Sequence, residues 1–182
     1  RNSIVARDIY YSLLPSATSE QRELASSFAR SIGKYEPPVI ETIVAYTYLI
    51  TGEKIAVARV WVTLFWLAAG VALFDLMKRA TSPWAALIAL AYYLVLPFSV
   101  QASRSFQPDP LMTSAFVVGI YYLYRWSESY SPLPMGEGLG VRGWRWAILA
   151  GIFLGLAAFV KIVIVFLVGA AAMAMVLFTL KK

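Results

Sequence analysis

Three polar side chains interrupt two long apolar runs in RSFQPDPLM, residues 104–112: Arg104, Gln107 and Asp109. A chain that spans a bilayer leaves it at such a place, and an ionisable cluster there is either an anchor or part of a site. Asp109 followed by Pro110 also reads as a helix start, with Asp as N-cap and Pro at the first helical position. Other ionisable residues stand out along the chain: Glu36, Glu41, Arg59 and Lys161. Carboxylates can take a proton from a hydroxyl or amine nucleophile. Arginine and lysine can hold a phosphate as it leaves. The same residue types equally suit a transporter's substrate or proton path.

Composition removes several chemistries. The 182 residues include no histidine and no cysteine. Disulfides, thiol nucleophiles, Ser-His-Asp arrangements and nitrogen/sulfur zinc sites are therefore excluded. Carboxylates remain for acid–base work or for a hard metal. The chain is 60% hydrophobic and 14% charged, which is the composition of a polytopic membrane protein. The formal charge of +6 is spread beside apolar runs, so it does not point to nucleic acid. The chain starts at Arg1 and ends on Lys181 and Lys182, and is expected to be part of a longer protein.

The elements that must position these residues are all helical. Residues 1–54 balance acids against bases and form an external juxtamembrane loop. Ile4, Val5, Ile9 and Leu13 suggest a short amphipathic helix. Thr18 and Gln21 fit a capping box; Leu24, Phe28 and Ile32 follow at intervals of four, and Gly33 is a stop. Such a helix lies on the membrane surface. Pro37 and Pro38 open a further helix whose face is Ile40, Ile43, Val44 and Thr47, ended by Gly52. Glu36 caps it on the simplest reading.

The transmembrane bundle, 55–182, is expected to contain spans at 55–77, 83–101, 110–126, 144–160 and 162–180. Asp75 sits one turn before Lys78 and Arg79, which explains it as a surface pair. Ser82 and Pro83 restart the chain. Tyr92, Tyr93, Tyr121, Tyr122 and Tyr124 fit an interfacial belt. Gly138, Gly140 and Gly143 have dinucleotide-loop spacing, but no strand precedes them, so 127–143 is a surface loop. Residues 144–180 would extend roughly 55 Å as one helix, too long for a hydrocarbon core of about 30 Å. The run is expected to hinge near Lys161, without Gly or Pro. Lys78, Arg79, Arg125, Arg142, Arg145, Lys181 and Lys182 mark the cytoplasmic side. Residues 1–54, Arg104 to Asp109 and Lys161 then face outward.

At this point the sequence resembles a family. RNSIVARDI (1–9), YEPPVIETIVAYTYLITGEKIAVARVW (35–61), RSFQPDPLM (104–112) and GLAAFVK (155–161) fall in its order. They resemble bacterial relatives of dolichyl-phosphate-mannose protein mannosyltransferases and lipid A aminoarabinose transferases, GT-C fold glycosyltransferases. The resemblance implies an all-α, polytopic membrane helix bundle with amphipathic juxtamembrane helices in the first external loop. It implies inverting transfer of a sugar from a polyprenyl-phosphate donor to a lipid, glycan or protein acceptor. The site would face outward from a prokaryotic plasma (inner) membrane. Asp109 would be the catalytic residue, orienting acceptor or donor; Glu36, Arg59, Arg104 and Lys161 would contact substrate.

No cofactor is certain, though Asp109 leaves room for a divalent metal; the lipid bilayer is a partner. The family's first acid, the expected base, precedes the position of Arg1, so residues 1–182 alone are expected to be inactive. Where members carry a lysine before the proline pair, this chain has Glu36, which makes Arg59, Arg104 and Lys161 the candidates for the phosphate. The alternative is a multi-pass transporter or lipid flippase, but neither internal repeats nor broken midplane helices are evident. A membrane subunit without chemistry is a third reading, against which the external polar cluster stands.

Because the chain lacks cysteine, single-cysteine labelling tests this orientation. Cysteines replacing Ser19 and Ser103 should react with an impermeant reagent from outside, and one replacing Ser129 should not. External labelling at Ser129 would reverse the topology and remove the outward site.

Overall fold

The computed structural model describes residues 1–32, 36–129 and 143–180. All regular structure among them is helical: α1 (Asn2–Leu13), α2 (Ser19–Ser31), α3 (Val39–Thr51), α4 (Ile55–Ala80), α5 (Pro83–Val95), α6 (Pro97–Arg104), α7 (Asp109–Ser129), α8 (Trp144–Val160), a 3-10 turn (Ile162–Ile164) and α9 (Val165–Leu180). The expected stop at Gly33 lies outside the described residues. So do most of the loop at 127–143, including Gly138, Gly140 and Arg142, and the terminal lysines.

Local chemistry sets most of the helix ends. The Thr18 side chain accepts from Gln21 N–H, and the Gln21 side chain accepts from Thr18 N–H, completing a capping box at α2. Ser82 Oγ accepts from Ala85 N–H at the start of α5, where Pro83 occupies the first turn. Gly52 follows α3 with φ +75°, a conformation that favours glycine. The helix after the proline pair starts at Val39, because Pro38 is still non-helical.

Residues 83–101, expected as one span with Pro97 near its end, fall in two helices, α5 and α6. Pro97 has no N–H to give and its ring disfavours a helical Leu96, which takes φ −53°, ψ 136°. Helices α4 and α7 run past the apolar windows expected for them, because Lys78, Arg79, Ser127 and Glu128 continue the helix in a polar setting.

Packing is inverted relative to a water-soluble bundle. Small residues face inward: Ala58, Ala69, Gly70, Ala86, Ala115, Ala150 and Ala157 are all buried. Large apolar residues face outward, among them Val60, Leu64, Leu67 and Val71 on α4, and Ile152 and Phe159 on α8. Small residues at helix contacts and large ones outside are what a lipid solvent selects, because close backbone approach is the main gain there. Among the described residues, α4 is the helix long and apolar enough to cross a membrane; α3, α5 and α8 are shorter apolar helices. The chain is thus an all-α membrane helix bundle with amphipathic helices at one end.

Among the described residues, three apolar clusters hold it. Ala6 and Tyr10 of α1 meet Val44, Ala45 and Tyr48 of α3 and Ala58 of α4. Ile40, Val62, Leu111 and Val160 bring α3, α4, α7 and α8 to one point. Ala115, Ala157 and Ile164 join α7, α8 and the 3-10 turn. At the other end of the bundle Arg79 pairs with Asp75 (2.8 Å) and Glu128 (3.8 Å), and Arg125 pairs with Glu128 (3.4 Å) and lies 4.6 Å from the Trp146 ring centroid.

Among the described glycines, the closest approach to a neighbouring helix is at Gly119 of α7. A Cβ there would lie 2.7 Å from Leu154 Cγ and 3.1 Å from the Leu154 backbone nitrogen. Gly119→Leu should therefore separate α7 from α8 and destabilise the bundle by about 2 kcal/mol or more. Gly151→Leu on α8 meets open space and should leave stability unchanged or raised. Thermal unfolding in detergent micelles ranks the two; equal stability would disprove the close α7–α8 approach.

Candidate functional site

The point where α3, α4, α7 and α8 meet carries the ionisable cluster. Helix α8 stops at Val160, and Lys161 takes an extended conformation (φ −148°, ψ 110°) before the 3-10 turn. That break turns the Lys161 side chain toward the start of α7. Its Nζ donates to Asp109 Oδ1 at 2.5 Å and lies 3.5 Å from Glu36 Oε1. Val160 and Leu111, close in sequence to Lys161 and Asp109, are buried in the apolar cluster with Ile40 and Val62. The charges therefore stand on a packed floor.

Asp109 is not the N-cap of α7. The Pro108 carbonyl accepts from Met112 N–H at 2.9 Å, so the helix starts one residue earlier than the Asp–Pro pair suggests. The carboxylate is left free to take the lysine. Glu36 does not serve as the cap of α3 either: α3 has no side-chain cap, and Glu36 reaches Lys161 instead. Burial pulls the Lys161 ammonium down, but the hydrogen bond and charge of Asp109, and then Glu36, outweigh it and hold Lys161 above its ordinary value.

Arg59 and Arg104 form a separate group. Arg59 is exposed on the second turn of α4, and Arg104 is exposed at the last residue of α6. Thr63, one turn after Arg59, donates to the Ser103 carbonyl at 3.5 Å, so the two arginines flank one helix contact. Neither has a hydrogen bond or ion pair among the described residues. Two guanidiniums without carboxylate partners are suited to an anion.

A divalent metal finds no ligand set. Among the described residues no three Asp, Glu, His or Cys side chains gather where they could hold one, and the cation between Asp109 and Glu36 is the lysine itself. Hard cations ask for about six oxygen ligands, so this pair does not fit one.

Glu41 is a feature that residue type alone did not rank. Its neighbours Ile40, Val44, Ala45 and Tyr48 define the buried face of α3, and Glu41 lies on that face, 6% exposed. The face is turned from the one expected, since Ile43 and Thr47 are only half-buried. The signal was a carboxylate at the register of the apolar stripe. Burial pushes the Glu41 carboxyl up; its own backbone N–H opposes this, nearby Glu36 adds to it, and Arg1 opposes it. On the other flank of α1, Arg7 and Tyr11 both donate to Glu53, tying α1 to the α3–α4 turn.

An all-helical membrane bundle that gathers acids and unpaired arginines at one end is the class defined so far. A family model described as dolichyl-phosphate-mannose-protein mannosyltransferase matches residues 35–182, and the chain belongs to that family of membrane glycosyltransferases. No curated protein and no solved structure matches it.

The Glu41 carboxyl gives a pH signature. A carboxyl raised on folding holds its proton where the unfolded chain has lost it. The stability this lends is complete below the ordinary value of 4.5 and is lost as pH rises through the folded value. The thermal midpoint should accordingly fall as pH climbs above that range, and Glu41→Gln should flatten the fall. An unchanged slope in Glu41→Gln would place the titration elsewhere.

Proposed function

We propose that the cluster transfers a sugar from a polyprenyl-phosphate donor to a hydroxyl or amine acceptor on the external face of a prokaryotic plasma membrane. The carrying observation is the division of labour between the two charged groups. Asp109 is fixed by Lys161, whereas Arg59 and Arg104, beside the Thr63–Ser103 contact, have no partner among the described residues. An ion-paired carboxylate still accepts hydrogen bonds, so Asp109 can orient the nucleophile's O–H or N–H toward the anomeric carbon. Arg59 and Arg104 can hold the phosphate that departs with the electron pair of the broken C–O bond. The new glycosidic bond forms on the opposite face, with inversion, and the proton leaves to a general base. Lys161 and Glu36 are positioning residues in this scheme: they set where the Asp109 carboxylate points. Large apolar side chains around the bundle match a donor whose tail stays in the bilayer.

Asp109→Asn preserves size but loses the charge. In the full-length, membrane-embedded parent protein, transfer from polyprenyl-phosphate mannose should fall by about 100-fold or more, the scale of a lost positioned catalytic group, with insertion unchanged. Arg59→Gln and Arg104→Gln should raise KM for the donor more than they lower kcat. Wild-type transfer by Asp109→Asn would reduce the aspartate to a packing residue and overturn the site.

A further inference from the structure

The first helix meets the proline-pair segment across a small polar cavity. Its volume is about 20 Å³, room for one water-sized group. Arg1, Asn2, Glu36, Pro38, Glu41 and Pro108 border it. Among the described residues, Asn2 Nδ2 and Glu41 Oε2 are buried and have no hydrogen-bond partner. Folded proteins leave few such atoms unpaired, and a polar gap of this size is normally closed by an oxygen that bonds to both sides.

The chemistry of the walls selects the occupant. Asn2 Nδ2 can only donate, while Glu41 Oε2 accepts when ionised and can donate when protonated. A hydroxyl oxygen answers both, accepting from the amide and donating to the carboxyl. An anion would face Glu36 and Glu41, and a metal cation would face Arg1. The cavity also adjoins the charged cluster: Glu36 belongs to both, and Pro108 directly precedes Asp109.

We propose that this cavity is a hydroxyl site: one water bridges Asn2 and Glu41 at rest, and a hydroxyl of the transferred sugar replaces it in the substrate complex. The second half rests on the glycosyl-transfer reading above. Asn2 and Glu41 then fix how the sugar ring lies against Asp109, and α1 becomes part of the site rather than a surface helix.

A thermal double-mutant cycle on the substrate-free protein in detergent tests the first half. Asn2→Leu and Glu41→Met should each lower the midpoint by about 2 °C or more, because each strands the other group. Glu41→Gln should stay near wild type, since it keeps an oxygen in place. The double variant should recover much of the loss, because removing both partners leaves nothing unpaired. Simple additivity, or a Glu41→Met protein as stable as wild type, would mean that no oxygen links the two.

Donor kinetics test the second half. In the full-length parent protein with polyprenyl-phosphate mannose, Glu41→Met should raise KM by about 5-fold. One deoxy donor should show the same KM in wild type and variant, naming the hydroxyl. An unchanged KM, or an equal rise with every deoxy donor, would leave the cavity to water and overturn the sugar contact. If the full-length wild type turns over no such donor, the glycosyl-transfer reading and this sugar contact fail together, while the thermal cycle still decides the cavity.

Discussion

Lys161 is the contact on which the charged end of the molecule depends. A lysine at the end of an apolar helix has to find either water or a counter-charge. Here the helix stops one residue before it, and the extended backbone sends the ammonium to Asp109 and Glu36. The pair is about one-third exposed, so its own contribution to stability is modest, on the order of 1 kcal/mol or less. The energy comes from the floor beneath it. Ile40, Val62 and Val160 are completely buried and Leu111 nearly so, and van der Waals packing of this kind is what holds helices together in lipid. The apolar contacts bring four helices together, and the ion pair then fixes where the charges point.

The inverted packing explains why chemistry can be confined to one end. With lipid-like side chains outside and small ones inside, the helices approach closely, most of all at Gly119 against Leu154. Little room remains between them for polar groups. Ionisable residues therefore collect at the helix ends. Arg79, Arg125 and Glu128 neutralise one another at one end. At the other, Asp109 and Lys161 pair while Arg59 and Arg104 have no partner among the described residues. A phosphate-linked donor with an apolar tail matches that asymmetry, because its charge and its tail need different surroundings.

Helix α1 links the two levels of organisation. Its Ala6 and Tyr10 pack on α3, and Arg7 and Tyr11 hold Glu53 in the turn just beyond the end of that helix. That fixes the rotation of α3, and with it the burial of Glu41 and the reach of Glu36. The loop segment is thus a structural wall of the charged cluster, although composition marked it only as an amphipathic surface element.

The sequence by itself determined the features that depend on composition and near neighbours. Long continuous apolar runs marked an all-helical membrane bundle, because a run of that length in lipid satisfies its backbone groups within a helix. Thr18 with Gln21, and Ser82 with Pro83, fixed helix starts, since capping bonds close within three residues. Only the tertiary structure decided what lies between distant positions. Asp109 looked like a cap until it proved to be the first residue of the helix, with Pro108 in the cap position, and Lys161 claimed the carboxylate. Glu36 looked like a cap until it reached the same lysine across the bundle. Glu41 stood as one surface acid among several until α1 covered it. Residue type states what a side chain can do; which charge it meets is set by packing among helices far apart in the chain, and no local pattern encodes that.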